Sequence, residues 1–184
     1  MLPDPTSLRR ATRPSPAIAI RLFAIAVIVV ALCGAGPMSP EAEVTAKPGT
    51  VFLACRMGLF QTSDGGEHWR DMEVGRFSPL TYARDIRPAP QDETRLYACL
   101  SVHATGDTGS LARSDDLGKT WRRIDHGVPI YATFMQLALH ARDADQVYGA
   151  ARNGQIVGTQ DGGKSWHNYQ LPEGCADVYG VACG

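Results

Sequence analysis

The chain has 184 residues, 44% of them hydrophobic and 20% charged, and a formal net charge of −1. That is too much apolar matter for a disordered chain and too little for a polytopic membrane protein. Fifteen arginines and three lysines against nineteen acids leave no basic excess, so the sequence shows no footprint for nucleic acid. Nineteen glycines and twelve prolines signal many turns, which favours short strands over long helices.

The first 48 residues differ in kind from the rest. Arg9, Arg10, Arg13 and Arg21 precede an apolar run over residues 22–36, LFAIAVIVVALCGAG. A helix of that length rises about 22 Å, short of the roughly 30 Å hydrocarbon core. The basic flank, the short run and the small residues at its end fit a signal peptide over residues 1–36. An uncleaved hydrophobic helix serving as a membrane anchor is the alternative, and a buried or foreign extension stays open. The expected location is therefore exported or membrane-anchored, and cytoplasmic if the segment is no signal. Residues 37–48 read as a linker and the folded part as 49–184.

Cys55, Cys99, Cys175 and Cys183 show neither a C-x-x-C pair nor histidines at zinc spacing, so no metal site and no cofactor is expected. In an exported chain Cys175 and Cys183 are the pair nearest in sequence for a disulfide. Buried thiols are the plainer reading.

Three segments superpose: TSDGGEHW (62–69), SDDLGKTW (114–121) and TQDGGKSW (159–166). They share Ser/Thr-x-Asp-x-Gly-x-x-Trp and contain all three tryptophans of the chain, at intervals of 52 and 45 residues. Ahead of each lies a short strand (GLFQT, SLARS, QIVGT), and ahead of that another (TVFLAC, RLYAC, QVYGAA). A further strand precedes the second and third copies: YARDI and FMQLAL. Units of about 45–50 residues with four short strands match propeller blades. The expected blades are 49–75, 76–127 and 128–172, with a closing strand at 176–184.

The box has a physical rationale as a tight turn between the last two strands of a blade. The carboxylates of Asp64, Asp116 and Asp161 accept hydrogen bonds from the following backbone N–H groups. Gly66, Gly118 and Gly163 take a positive φ that side chains resist. The hydroxyls of Thr62, Ser114 and Thr159 brace the turn, and Trp69, Trp121 and Trp166 cover the apolar face of the blade. These boxes resemble the Asp-box, or BNR, repeat of sialidases, sortilin-type receptors and photosystem-assembly propellers, over roughly residues 49–184. The resemblance implies an all-β, partial β-propeller of about three four-stranded blades. It also implies that the boxes lie away from the ligand face, as scaffold, so no catalytic residue is assigned among them.

Closed propellers have four to eight blades, so three are too few. A partial propeller, a ring closed by self-association and a fragment of a longer propeller all stay open. Ligand-face candidates come from the loops opposite the boxes. Arg56 and Arg152 occupy the same repeat position and could clasp an anion. Tyr82 and Arg84 lie on an inner strand with Asp85 and Arg87, where a structural ion pair is an equal reading. His103 and His126 sit in candidate loops.

A sialidase resemblance would imply an arginine triad, a tyrosine nucleophile backed by a glutamate, and an acidic proton donor. The Phe/Tyr-Arg-Ile/Leu-Pro string of that family is missing; DIRPAP (85–90) has a different order. No G-x-S-x-G, phosphate-cradling loop or H-E-x-x-H occurs. The expectation is a non-catalytic scaffold that binds a protein partner or a carbohydrate or anionic small ligand. A sialidase-like glycoside hydrolase, active or degenerate, is the alternative.

Overall fold

A computed structural model of the chain describes residues 46, 48–175 and 177–184. The apolar segment at 22–36 lies outside the described residues, so the signal, anchor and helix readings do too. Among the described residues no helix is long and apolar enough to cross a membrane.

Eleven strands form three antiparallel sheets. The first holds β1 (Val51–Cys55), β2 (Gly58–Thr62) and β3 (Arg70–Asp71). The second holds β4 (Tyr82–Ala89), β5 (Asp92–Ser101), β6 (Gly109–Ser114) and β7 (Arg122–Arg123). The third holds β8 (Phe134–His140), β9 (Asp143–Ala151), β10 (Ile156–Thr159) and β11 (His167–Tyr169). In each sheet strand order follows chain order. Three such meanders packed side by side make a partial β-propeller, all-β among the described residues but for a 3-10 turn at Val74–Arg76. The inner strands β4 and β8 carry an irregularity at matching places, after Ala83 and after Phe134.

The first sheet departs from the four-strand unit, because no inner strand precedes β1 among the described residues. The closing strand expected at 176–184 is also absent as a strand: described residues 177–184 join no sheet. Their hydrogen bond runs from Val181 N–H to the Gln136 side chain on β8 (3.1 Å), so side-chain contact takes the place of a ladder there.

Alternation of side chains along each strand builds two cores. Leu96, Ala98 and Leu100 of β5 face the first sheet and pack with Leu59, Met72 and Trp121. Tyr97 and Cys99 face the third, with Leu111, Ile124, Phe134 and Val147. Burial on both faces explains why β5 reads as an unbroken apolar run at its end. In β1 only Phe52 and Ala54 find a neighbour; Val51 and Leu53 are exposed.

The three tryptophans are unequal for the same reason. Trp121 is 5% exposed and packs against Met72 of the first sheet. Trp166 is half-buried against the second sheet, and its Nε1–H donates to the Ile124 carbonyl at 2.7 Å. Trp69, with no described sheet before it, is 44% exposed. Met72 and Ile124, each three places after a box tryptophan, are knobs for the box that follows. A Cβ on Gly118 would collide with Met72, and one on Gly163 would lie 2.8 Å from Ile124. On Gly66 it would meet only its own Trp69. The box glycine therefore serves two ends, a positive φ and a seat for the neighbouring sheet.

Trp121→Ala should cost about 3–5 kcal/mol and Trp69→Ala about 1 kcal/mol or less, read as urea midpoints at constant m. Trp121 Nε1 is buried without a hydrogen-bond partner. Trp121→Phe should thus be milder than Trp166→Phe, which also forfeits a bond of about 1 kcal/mol.

Candidate functional site

Antiparallel order sends the connections to opposite ends of the sheets. One end carries the three boxes, and the other carries the turns β1–β2, β5–β6 and β9–β10 and the links β3–β4 and β7–β8.

At the box end each turn closes on itself. Thr62, Ser114 and Thr159 are buried, and their hydroxyls donate to Asp64, Asp116 and Asp161 at 2.6, 2.8 and 2.8 Å. The same oxygens accept the N–H of Gly66, Gly118 and Gly163. Each aspartate Oδ1 accepts further backbone N–H groups, from His68 in the first box, Lys119 and Thr120 in the second, and Lys164 and Ser165 in the third. Oδ2 meets the residue before the tryptophan: His68 Nδ1 (2.7 Å), Thr120 Oγ1 (2.7 Å) and Ser165 Oγ (2.6 Å). That residue, polar in all three copies, is a box position that the shared pattern left unspecified.

The residue before each box glycine is also left-handed: Gly65, Leu117 and Gly162. Leu117 accepts this conformation while buried in the first core, with its N–H donated to the Thr94 carbonyl.

These bonds favour the charged carboxylates. The Thr62 hydroxyl, followed by the His68 N–H, lowers Asp64 to about 2. Burial raises Asp116, but bonds from Thr120, Ser114 and Lys119 outweigh it and leave it lowered. The Ser165 hydroxyl and N–H, with Thr159, hold Asp161 far below the usual carboxylate range. Asp64, Glu67 and His68 offer ligand atoms within 4.8 Å of one another, all exposed. Both Asp64 oxygens already accept bonds from within the turn, which leaves nothing distinctive of a cation site.

A second polar cluster ties the second sheet to the third. Arg95 Nη1 reaches Asp145 at 2.6 Å, and its Nε reaches Asp92 and Asp115 at 3.1 and 3.2 Å. Arg113 pairs with Asp115 (2.6 Å), lies over the Tyr97 ring and donates to the Gly162 carbonyl. The sequence reading missed this cluster because its members are scattered singly along the chain.

At the loop end, the buried Thr133 knits three segments together. Its Oγ1 donates to the His103 carbonyl (2.6 Å) and accepts the Gly106 N–H (2.9 Å); its own carbonyl accepts the Arg152 N–H (2.9 Å). The structure thus brings the backbones of His103 and Arg152 to one residue. The side chain of His103 is exposed and that of Arg152 half-buried.

Arg56 stands exposed on the β1–β2 turn, with the second sheet between it and Arg152. Nothing ties the two guanidiniums together. Arg84 is exposed and reaches the Tyr82 hydroxyl at 3.4 Å. Asp85 pairs with Arg87 (2.9 Å) and accepts the Leu137 N–H (2.9 Å), so it joins neighbouring inner strands. His126 is exposed beside Asp125, a carboxylate that is 1% exposed and accepts bonds from Ser110, Leu111 and Arg123. The described cysteines are free thiols: Cys99 is buried, Cys175 exposed, and Cys55 and Cys183 lie between.

The loop end also carries exposed apolar side chains, with Met57 (73%) and Tyr131 (65%) the most open, then Val102 and Phe77.

No protein-family model matches the sequence, and a search of curated proteins finds no match. Among solved structures, an ancestral GH74 enzyme aligns with TM-score 0.53 and 15% identity over 67% of this chain and 17% of its own. The GH74 enzyme of Niastella koreensis aligns with TM-score 0.52 and 14% identity over 65% of this chain and 20% of its own. YCF48 from Cyanidioschyzon merolae aligns with TM-score 0.46 and 21% identity over 67% of this chain and 36% of its own. The chain thus spans a fifth or less of the two GH74 chains. At these identities the GH74 likeness shows a propeller fold.

The box carboxylates predict a pH dependence. Their pKa values in the fold lie below the unfolded value of about 3.9, so their stabilisation is present above about pH 4. It is lost as pH falls, for the first box through about pH 2. Urea midpoints should drop between pH 4 and pH 2, and the amide shifts of His68, Thr120 and Ser165 should move with them. A flat profile would refute the assignment.

Proposed function

We propose that this chain is an Asp-box (BNR) repeat scaffold without catalytic chemistry, whose loop end binds a protein partner. The observation that carries it is the division between the two ends. Box side chains are committed to their own turns, whereas Met57, Phe77, Val102 and Tyr131 stand exposed at the loop end, where Thr133 ties the segments at His103, Gly106 and Arg152 together. Exposed apolar side chains on the same connections as Arg56, His103 and His126 fit a peptide or protein surface that also carries acidic groups. The same arginine and histidines would suit a carbohydrate or small anion, which is the narrower form of the reading. Export through residues 1–36 is part of the proposal and is tested by the N-terminal mass of the mature protein.

A sialidase-like hydrolase needs an acidic proton donor facing its substrate, and most other glycosidases need two carboxylates there. Asp125, the buried acid near the loops, is already saturated by Ser110, Leu111 and Arg123. Sialosides, aryl glycosides and xyloglucan should therefore show no turnover; turnover abolished by Arg56→Ala with Arg152→Ala would replace the scaffold reading. In a displayed peptide library, selected binders should lose at least about tenfold in affinity, or 1.4 kcal/mol, on Tyr131→Ala or Val102→Asp. Binding indifferent to both would end the proposal.

A further inference from the structure

We propose that a second copy of this chain closes the arc. Residues 179–184 of one copy would form the inner strand of the other copy's first sheet, and the reciprocal exchange would complete a ring of six four-stranded blades. This goes beyond the loop-end reading, which uses the loops of one copy and would survive its failure.

The first observation is where the tail already sits. Leu137 N–H on β8 donates to the side chain of Asp85 on β4 (2.9 Å), one inner strand reaching back to the preceding one. Val181 N–H donates to the side chain of Gln136 on β8 (3.1 Å). Asp85 and Gln136 are equivalent, opposing Cys99 and Ala150 at matching places in β5 and β9. Val181 therefore takes the place of Leu137 one blade further on. Arg87, Gln136, Leu139, Val181 and Cys183 line one concavity, as three successive inner segments would. The tail occupies the position of a fourth inner strand, without a strand beside it to pair with among the described residues.

The second observation is what the first sheet lacks. β1 is the second strand of a blade, with β2 and β3 in order behind it, and no described strand pairs with its inner edge. An unpaired edge is a template for strand addition. The tail has what β1 is missing.

The third observation is the repeated knob and seat. Met72 fills the seat at Gly118 and Ile124 the seat at Gly163. The next knob by position is Tyr169, exposed and tilted against Tyr148 with ring centroids 5.8 Å apart. Among the described residues, the seat without a knob is at Gly66 and Trp69, and Val51 and Leu53 of the adjoining strand are exposed. A second copy brings Tyr169 to that seat in the same motion that brings its tail to β1. With the tail counted as a strand, the described residues of each copy supply the strands of three four-stranded blades. Two copies then make six, within the usual range of closed propellers.

The register is explicit. Leu137 opposes Gly149 and Leu139 opposes Val147 in the third sheet. By the same pairing Val181 opposes Leu53 of the second copy, and Cys183 opposes Val51. Directly opposed residues lie within disulfide reach.

The test uses the full chain in neutral detergent, which keeps the apolar run at 22–36 from driving association. Light scattering should give the mass of two chains, and a variant lacking residues 179–184 the mass of one. Val51→Cys should form an intermolecular disulfide with the native Cys183 under mild oxidation, seen as a two-chain band on a non-reducing gel. Adding Cys183→Ser should remove the band. Phe52→Cys, one residue out of register and on the opposite face, should not form it. A one-chain mass, an open-ended ladder of species, or a two-chain species whose Val51→Cys makes no bond to Cys183 would each overturn the proposal.

Discussion

The interaction on which this architecture depends is the closed hydrogen-bond circuit of the box. A hydroxyl on the penultimate strand, a carboxylate two residues on, and the backbone N–H groups that follow satisfy one another within eight residues. The circuit reverses the chain tightly enough that the last strand needs only two or three residues of ladder. It also puts a glycine and a tryptophan at the sheet boundary, where the knob of the preceding sheet arrives. Local polar chemistry and long-range apolar packing thus meet at the same few atoms. This is why one short motif can specify a layered fold at all.

Electrostatics follows a similar economy of distance. The Arg95, Arg113, Asp115 and Asp145 cluster links two sheets with its guanidiniums mostly covered and its carboxylates about half open to water. Partly covered pairs of this kind fix orientation more than they add stability. Asp125 is the exception, since its side chain is wholly covered and all its bonds come from its own sheet. The box end is therefore polar and self-paired, while the loop end is apolar and open. A surface divided in this way has one face free to acquire partners without disturbing the turns that hold it up.

Much of the fold was legible because it repeats. Three boxes in register gave the sheets, their order and the direction of their connections, and a period of 45–52 residues is hard to mistake for anything else. What repetition could not convey is position within the series. Trp69, Trp121 and Trp166 look alike on paper, yet their burial depends on whether a sheet precedes them. Phe52 and Tyr97 are likewise equivalent, but Tyr97 is enclosed by a neighbour and donates its hydroxyl to the Ala144 carbonyl. The candidate site was less legible. Arg56 and Arg152 share a repeat position, but equivalent positions in a propeller are separated by whole blades, so a shared position says nothing of what lies between two side chains. Thr133, the residue that organises the loop end, carries no motif and would be found only by asking which buried hydroxyl has three segments around it.

The seat at the box glycine bears on how such chains change in length. At the box, each turn is settled by its own atoms and its seat takes a side chain of moderate bulk from the neighbouring sheet, methionine in one case and isoleucine in the other. Unequal tenants in equivalent seats mean that the joint tolerates substitution. Duplication or loss of a blade in the gene would then leave every remaining joint serviceable, and blade number becomes a property of the assembly that no individual repeat encodes.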